Sequence, residues 1–157
     1  MIITAWRITK SKYKDVAFTG EGAEDAGGRW NSRGTRIVYA SSSISLAIIE
    51  ILVNLHDDKI LSSYVVIPFH FDDKLMKSIE NKDLPGGWAS LPSSVTAKSI
   101  GDDWVQSKTS LLLGVPSVVV PIEINYLINP SHPDFGQITY GDPIPLPLDE
   151  RLIDLLN

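Results

Sequence analysis

Apolar residues fall at helical spacing on two sides of the run that begins at Ser43. In SISLAIIEILVNLH, Ile44, Ala47, Ile48, Ile51, Leu52 and Leu55 form one stripe, and Leu46, Ile49 and Val53 lie opposite. A helix that is apolar all round belongs in an interior. Glu50 interrupts it as the sole formal charge between Arg36 and Asp57. A carboxylate carried into such surroundings needs a partner or a task, because an unpaired buried charge is costly. Two readings are open at this point, a structural salt bridge and a functional carboxylate.

Elsewhere the pattern changes period. Ile2–Ile8, Arg36–Ala40 (RIVYA) and Ser63–Phe71 (SYVVIPFHF) predict strands, with Pro68 placing the third at an edge or a bulge. The serines at 41, 42 and 43 predict a helix N-cap. Leu75–Glu80 predicts a short helical turn, and Asn81–Ser99, rich in Gly, Pro and Ser around Trp88, a long surface loop. Asp102–Leu112 predicts a helix closed by Gly114 and Pro116, and Ser117–Ile124 (SVVVPIEI) a buried strand. Prolines between Asn129 and Pro147 argue against regular structure there, and Asp149–Leu156 predicts a short docked helix. Helices and strands alternate without the spacing of repeated βαβ units, so the expected fold class is α+β, one mixed domain over residues 1–157.

Length and composition fit that picture. A chain of 157 residues buries roughly two thirds of its unfolded surface in one core. Hydrophobic residues at 43% and charged residues at 21% are globular usage and exclude disorder. A net charge of -5 argues against nucleic-acid binding by broad electrostatics. With no cysteine, disulfides, thiolate zinc sites and cysteine nucleophiles are excluded. The N-terminus charges too early for a signal peptide, and no apolar stretch approaches the ~18 residues of a membrane span. A cytoplasmic protein without membrane contact is therefore expected. His56, His70 and His132 lack metal-ligand spacing, so no metal site is expected.

Candidate chemistry centres on TGEGAEDAGGRWNSRG. Gly20-x-Gly22 is not a dinucleotide fingerprint: no apolar strand precedes it, no helix is expected after it, and Glu21, Glu24 and Asp25 would repel a pyrophosphate. Gly27 and Gly28 do lead to Arg29 beside Trp30, where a planar guanidinium can grip a phosphate bidentately and the glycines permit close approach. A turn with Arg29 stacked on Trp30 is the competing reading. Arg29, Tyr39 and Glu50 fall on a loop, a strand and the following helix, so one strand-to-helix corner can gather a cation, an aromatic face and a carboxylate. Those are the requirements of a nucleotide-sugar site. Ser117, after Pro116, can reach a ligand or cap the backbone, and no G-x-S-x-G elbow surrounds it.

In order along the chain, Trp6-Arg7, Gly27-Gly28-Arg29-Trp30-Asn31, Val38-Tyr39-Ala40-Ser41, Ala47 with Glu50, Gly101-Asp102-Asp103-Trp104, Val115-Pro116-Ser117, Asn129-Pro130 and Asp149-x-Arg151-Leu152 resemble the RES domain family. These are toxins of a bacterial type II toxin–antitoxin class. The resemblance implies a fold similar to ADP-ribosyltransferase toxins and an enzyme that degrades NAD+ as substrate, with no further cofactor. By position, Arg29, Tyr39, Glu50 and Ser117 stand where the family's active-site arginine, tyrosine, glutamate and serine stand, and Arg7 becomes a further dinucleotide contact. It also implies a small helical, Xre-like antitoxin that blocks the pocket; self-association within that complex is left open.

On this view Glu50 stabilises positive character on the nicotinamide-side ribose, the arginines hold the pyrophosphate and Tyr39 stacks on a ring. Water or phosphate would be the acceptor. Two rivals stand beside it. One is a protein ADP-ribosyltransferase using the same site, and the other a non-catalytic nucleotide- or partner-binding module in which Arg29 and Glu50 form a buried ion pair.

Overall fold

A strand begins almost at the first residue. In the computed structural model, which describes residues 1–54, 64–146 and 149–154, β1 (Ile2–Lys10) pairs antiparallel with β3 (Tyr64–Asp72) through nine residue pairs from Ile2↔Asp72 to Lys10↔Tyr64. Between them in the chain come a short helix α1 (Glu21–Ala26), the strand β2 (Val38–Ser41) and the helix α2 (Ile44–Leu52). A short parallel strand β4 (Met76–Ser78), the helix α3 (Val95–Ser107), β5 (Leu112–Pro116), β6 (Ile124–Ile128), two-residue strands β7 (Thr139–Tyr140) and β8 (Ile144–Pro145), and α4 (Glu150–Asp154) follow. One mixed sheet runs β4-β5-β6-β2-β1-β3-β7, with β8 also on β3. This is the expected α+β class.

The junction between β1 and β2 is the weak seam of that sheet. Only Trp6↔Ser41 is paired across it, whereas β2 matches β6 over four pairs and β5 matches β6 over five. The sheet thus opens beside Tyr39, and the side chain of Arg7 enters the gap.

Each face of the central strands is covered. Leu112 and Ile128 join Val38, Phe69 and Phe71 in one core cluster, while Leu113, Val115 and Leu127 join Ala97, Trp104, Trp30 and Trp88 beneath α3 in another. A third cluster sets Ala47, Ile48 and Ile51 of α2 against Ile8 and Val66.

Several expectations need correction. Ser43 does cap α2, accepting from the Leu46 amide at 3.1 Å, but the helix is not buried on both sides. Leu46 and Ala47 are buried while Ile49 and Val53 are 38% and 55% exposed, because α2 lies on β1 and β2 by one face alone. Leu55 and His56 lie outside the described residues. Strand β3 is not an edge: Pro68 sits where the facing strand is interrupted between β7 and β8, so its missing N–H costs no ladder bond, and its carbonyl accepts from Gly141 at 2.8 Å.

In place of a helical turn at Leu75–Glu80, a 3-10 turn at Asp73–Leu75 leads into β4. The predicted helix at Asp102–Leu112 begins earlier, capped by the Ser94 hydroxyl, and ends at Lys108 with φ 52. Gly114 lies inside β5, and the predicted strand Ser117–Ile124 is mostly a loop. Strands buried on both faces lose the period of two that separates them from helix in a sequence. A helix does open at Glu21, with Gly20 in the left-handed region at φ 77, where a side chain would also crowd Arg36 and Pro130.

Candidate active site

The opening between β1 and β2 continues into a cavity of about 820 Å³, within the roughly 300–1,000 Å³ typical of small-molecule sites. Arg7, Arg29, Tyr39 and Glu50 line it. These four were singled out from the sequence, and the fold brings them together. Ser117, the fifth, stands behind Glu50.

Each is held by local structure. Arg7 donates from Nη1 to the Tyr39 carbonyl at 3.0 Å and from Nε to the Ala17 carbonyl at 3.1 Å, so the guanidinium satisfies β2 where β1 has parted from it. Burial lowers this group from the usual arginine range to about 10. Arg29 projects from the glycine turn and donates from Nη1 to the carbonyls of Trp88 and Ser90, both at 3.0 Å. Its pKa is lowered by burial, an effect opposed by the nearby carboxylate of Glu50. The expected stacking partner of the turn is different: Trp30 stacks on Trp88, centroids 5.6 Å apart. Among the described residues Arg29 and Glu50 form no salt bridge, which removes the structural support for the ion-pair module.

The Tyr39 hydroxyl donates to Asn31 Oδ1 at 2.6 Å and accepts from the Trp30 amide at 3.1 Å, and burial raises its pKa. A Cβ at Gly28 would come within 2.6 Å of that hydroxyl, so glycine is required where the turn passes Tyr39. Helix α3 clamps the same turn. Lys98 Nζ donates to the Gly28 carbonyl at 2.5 Å and Asp102 accepts from the Ser32 amide at 2.9 Å.

Glu50 receives two donors on one oxygen. Ser117 Oγ lies 2.6 Å and Asn125 Nδ2 2.7 Å from Oε1. Oε2 makes no hydrogen bond among the described residues, on a side chain that lines the cavity. The arrangement can therefore present a fixed carboxylate oxygen to a ligand beside two guanidinium groups, which suits an anionic molecule that develops positive charge during reaction.

Sequence reasoning missed Asn125, Lys98 and the structural use of Ser41 and Asn31. Asn125 did leave a signal, as a polar residue inside the apolar strand INYLI. Among the described residues no cluster of metal-ligating side chains occurs, and no described helix is long and apolar enough to cross a membrane.

Fold and cavity define a mixed α+β domain with a carboxylate and two arginines on one pocket. The chain belongs to the RES domain family, whose model matches residues 4–149. It is 38% identical over 148 residues to a protein of Yersinia enterocolitica named Toxin Res, covering 94% of this chain and 97% of that one. It is also 40% identical over 139 residues to the Prs ADP-ribosylating toxin of a Sphingobium species, covering 85% and 86%. A chain in the crystal structure of the M. tuberculosis MbcT-MbcA toxin-antitoxin complex superposes with TM-score 0.77 at 16% identity, covering 99% of this chain and 89% of its own, a likeness of fold.

Proposed function

We propose that this protein is the toxin of a type II toxin–antitoxin system and that it depletes NAD+ by cleaving the nicotinamide N-glycosidic bond. The observation that carries the reading is Glu50, fixed through Oε1 and lining a cavity that Arg7, Arg29 and Tyr39 also line. When the C–N bond breaks, its electron pair leaves with nicotinamide and the ribose carbon becomes positive. A carboxylate already oriented stabilises that charge without reorganising, and water or phosphate completes the reaction by adding to the carbon. The remaining donors of Arg7 and Arg29 suit the pyrophosphate, and the Tyr39 ring suits stacking on a base. The partner is a small helical, Xre-like antitoxin that closes the pocket, and the setting is the cytoplasm.

The 40% identity to a relative named an ADP-ribosylating toxin favours a second reading, transfer of ADP-ribose to a protein through the same site. One experiment separates them. The purified chain is incubated with NAD+ carrying a labelled adenine, with and without cell lysate, and nicotinamide, free ADP-ribose products and label on protein are followed together. Nicotinamide release without lysate, matched by free ADP-ribose or its phosphate, supports depletion. Release that needs lysate and is matched by labelled protein replaces it with transfer, and absence of both ends the NAD+ reading.

A further inference from the structure

Resting on the NAD+-cleavage reading of the same site, we infer that Asn125 is a positioning residue for Glu50, and that Ser41 acts behind it by fixing which end of the Asn125 amide meets the carboxylate. An ionised carboxylate only accepts hydrogen bonds, so the amide group 2.7 Å from Glu50 Oε1 is the NH2 end. The carbonyl end then faces Ser41, whose Oγ is 2.7 Å from Asn125 Oδ1. A hydroxyl carries one proton, and here it goes to that carbonyl. Ser41 is 4% exposed, so the carbonyl of Asn125 is met chiefly by this hydroxyl.

Ser117 is constrained in the same way. Its oxygen accepts from the amides of Val119 at 3.1 Å and Val120 at 3.0 Å, which leaves its single proton for Glu50. Oε1 is thus met from two directions, by the residue that follows β5 and by a residue of β6. Ser41 and Asn125 face each other in register across β2 and β6, where the backbone ladder is complete without their side chains. Their side-chain bond has a different consequence: it fixes the rotation of the Glu50 carboxylate, and with it the direction of Oε2. A few tenths of an ångström there matter when charge is stabilised in a transition state.

Asn125 and Ser41 also line the cavity, so for both a direct contact with substrate must be distinguished from action through Glu50. The test measures steady-state nicotinamide release by the full chain for Asn125→Ala and Ser41→Ala, each alone and combined with Glu50→Gln, after circular dichroism and thermal melting have shown each variant folded. Expected for Asn125→Ala is a fall in kcat on the order of ten- to a hundredfold with KM within about twofold, as for losing a hydrogen bond to a charged group. Ser41→Ala falls less, in kcat alone, and serves by itself if Asn125→Ala does not fold. Neither substitution lowers the residual rate of Glu50→Gln further. An unchanged kcat, a rise confined to KM, or a further loss in the Glu50→Gln background each overturns the inference while leaving NAD+ cleavage in place. No nicotinamide release from the unaltered chain overturns both.

Discussion

The Ser117 hydroxyl, fully buried beyond the end of β5, donates to Oε1 of Glu50 on α2 across 2.6 Å. The two residues are 67 positions apart, and neither predicts the other along the chain. Their contact fixes one oxygen of the Glu50 carboxylate. A carboxylate gripped on one oxygen by donors whose own acceptors are occupied is neither a surface charge nor half of an ion pair. It is held through Oε1, on a side chain that lines the cavity, and its second oxygen makes no hydrogen bond among the described residues.

Glu50→Gln is the sharpest substitution to follow from this. Glutamine keeps the shape and still offers an oxygen to Ser117 and Asn125, but its other terminal atom changes from acceptor to donor. The variant is expected to fold, with Tm within a few degrees of the parent, and to lose on the order of a thousandfold or more in nicotinamide release. Melting curves and a nicotinamide assay on the same preparations suffice. Retained activity would remove the carboxylate from the chemistry.

Arg29 both lines the cavity and ties down the loop beside it, through the carbonyls of Trp88 and Ser90. Arg29→Ala is expected to raise KM for NAD+ by about tenfold or more and to speed hydrogen exchange in residues 86–94, because ligand grip and loop anchoring leave together. Arg29→Lys restores charge without the fork, so it should recover little of either. Exchange rates that stay at the parent level in both variants would show the loop held by Trp88 stacking alone.

How much of this could be read beforehand depended on the range of the interaction. Strands β1 to β3 and the Ser43 cap rest on local alternation and local hydrogen bonding, and they stand out in the sequence. Glu50 stood out for the same reason, as one charge in an apolar run. What failed was non-local. LLLGVP is buried by α3 on one side and by Phe69 and Phe71 on the other, so it carries no alternation, and its first residues continue the apolar pattern of a helix. Asn125 becomes meaningful only once β2 and β6 are in register, and Ile49 and Val53, apolar yet exposed, show that pattern alone cannot tell which face of α2 finds a partner.

Tyr39 gives a prediction in pH. Burial is the chief cause that raises its phenol above the ordinary value near 10, so the unfolded chain ionises there before the folded one does. Below that pH the two states bind the same proton and nothing depends on it; above it the unfolded state gains by releasing the proton, and stability falls. Tyr39→Phe is expected to cost about 1 kcal/mol at neutral pH, through loss of the bonds to Asn31 and Trp30. Its stability should then decline less steeply between about pH 9 and about pH 11 than the parent's. Tyr64, Tyr126 and Tyr140 are raised as well, but they are common to both proteins and cancel in the difference. Denaturant unfolding across that range checks it, and parallel curves would mean that Tyr39 ionises as freely folded as unfolded.

Gly101 tests whether α3 truly frames the arginine turn. A Cβ there would overlap the Trp30 carbonyl oxygen and crowd its carbon and Cβ, which are backbone or near-backbone atoms that cannot swing aside. Alanine, normally the better helix former, must therefore push α3 off the turn, and Lys98 and Asp102 lose their contacts with the Gly28 carbonyl and the Ser32 amide. Gly101→Ala is expected to cost about 3 kcal/mol or more, at the upper end of overpacking effects, and to scatter Arg29 in whatever remains folded. Gly22→Ala is the control, since nothing lies within 4 Å of a Cβ at that helical position, and it should stabilise by about 0.5–1 kcal/mol through the unfolded chain. Opposite signs in denaturant unfolding would tie the fold of the turn to the close approach of α3 on Trp30; a mild effect at Gly101 would place the turn's support elsewhere.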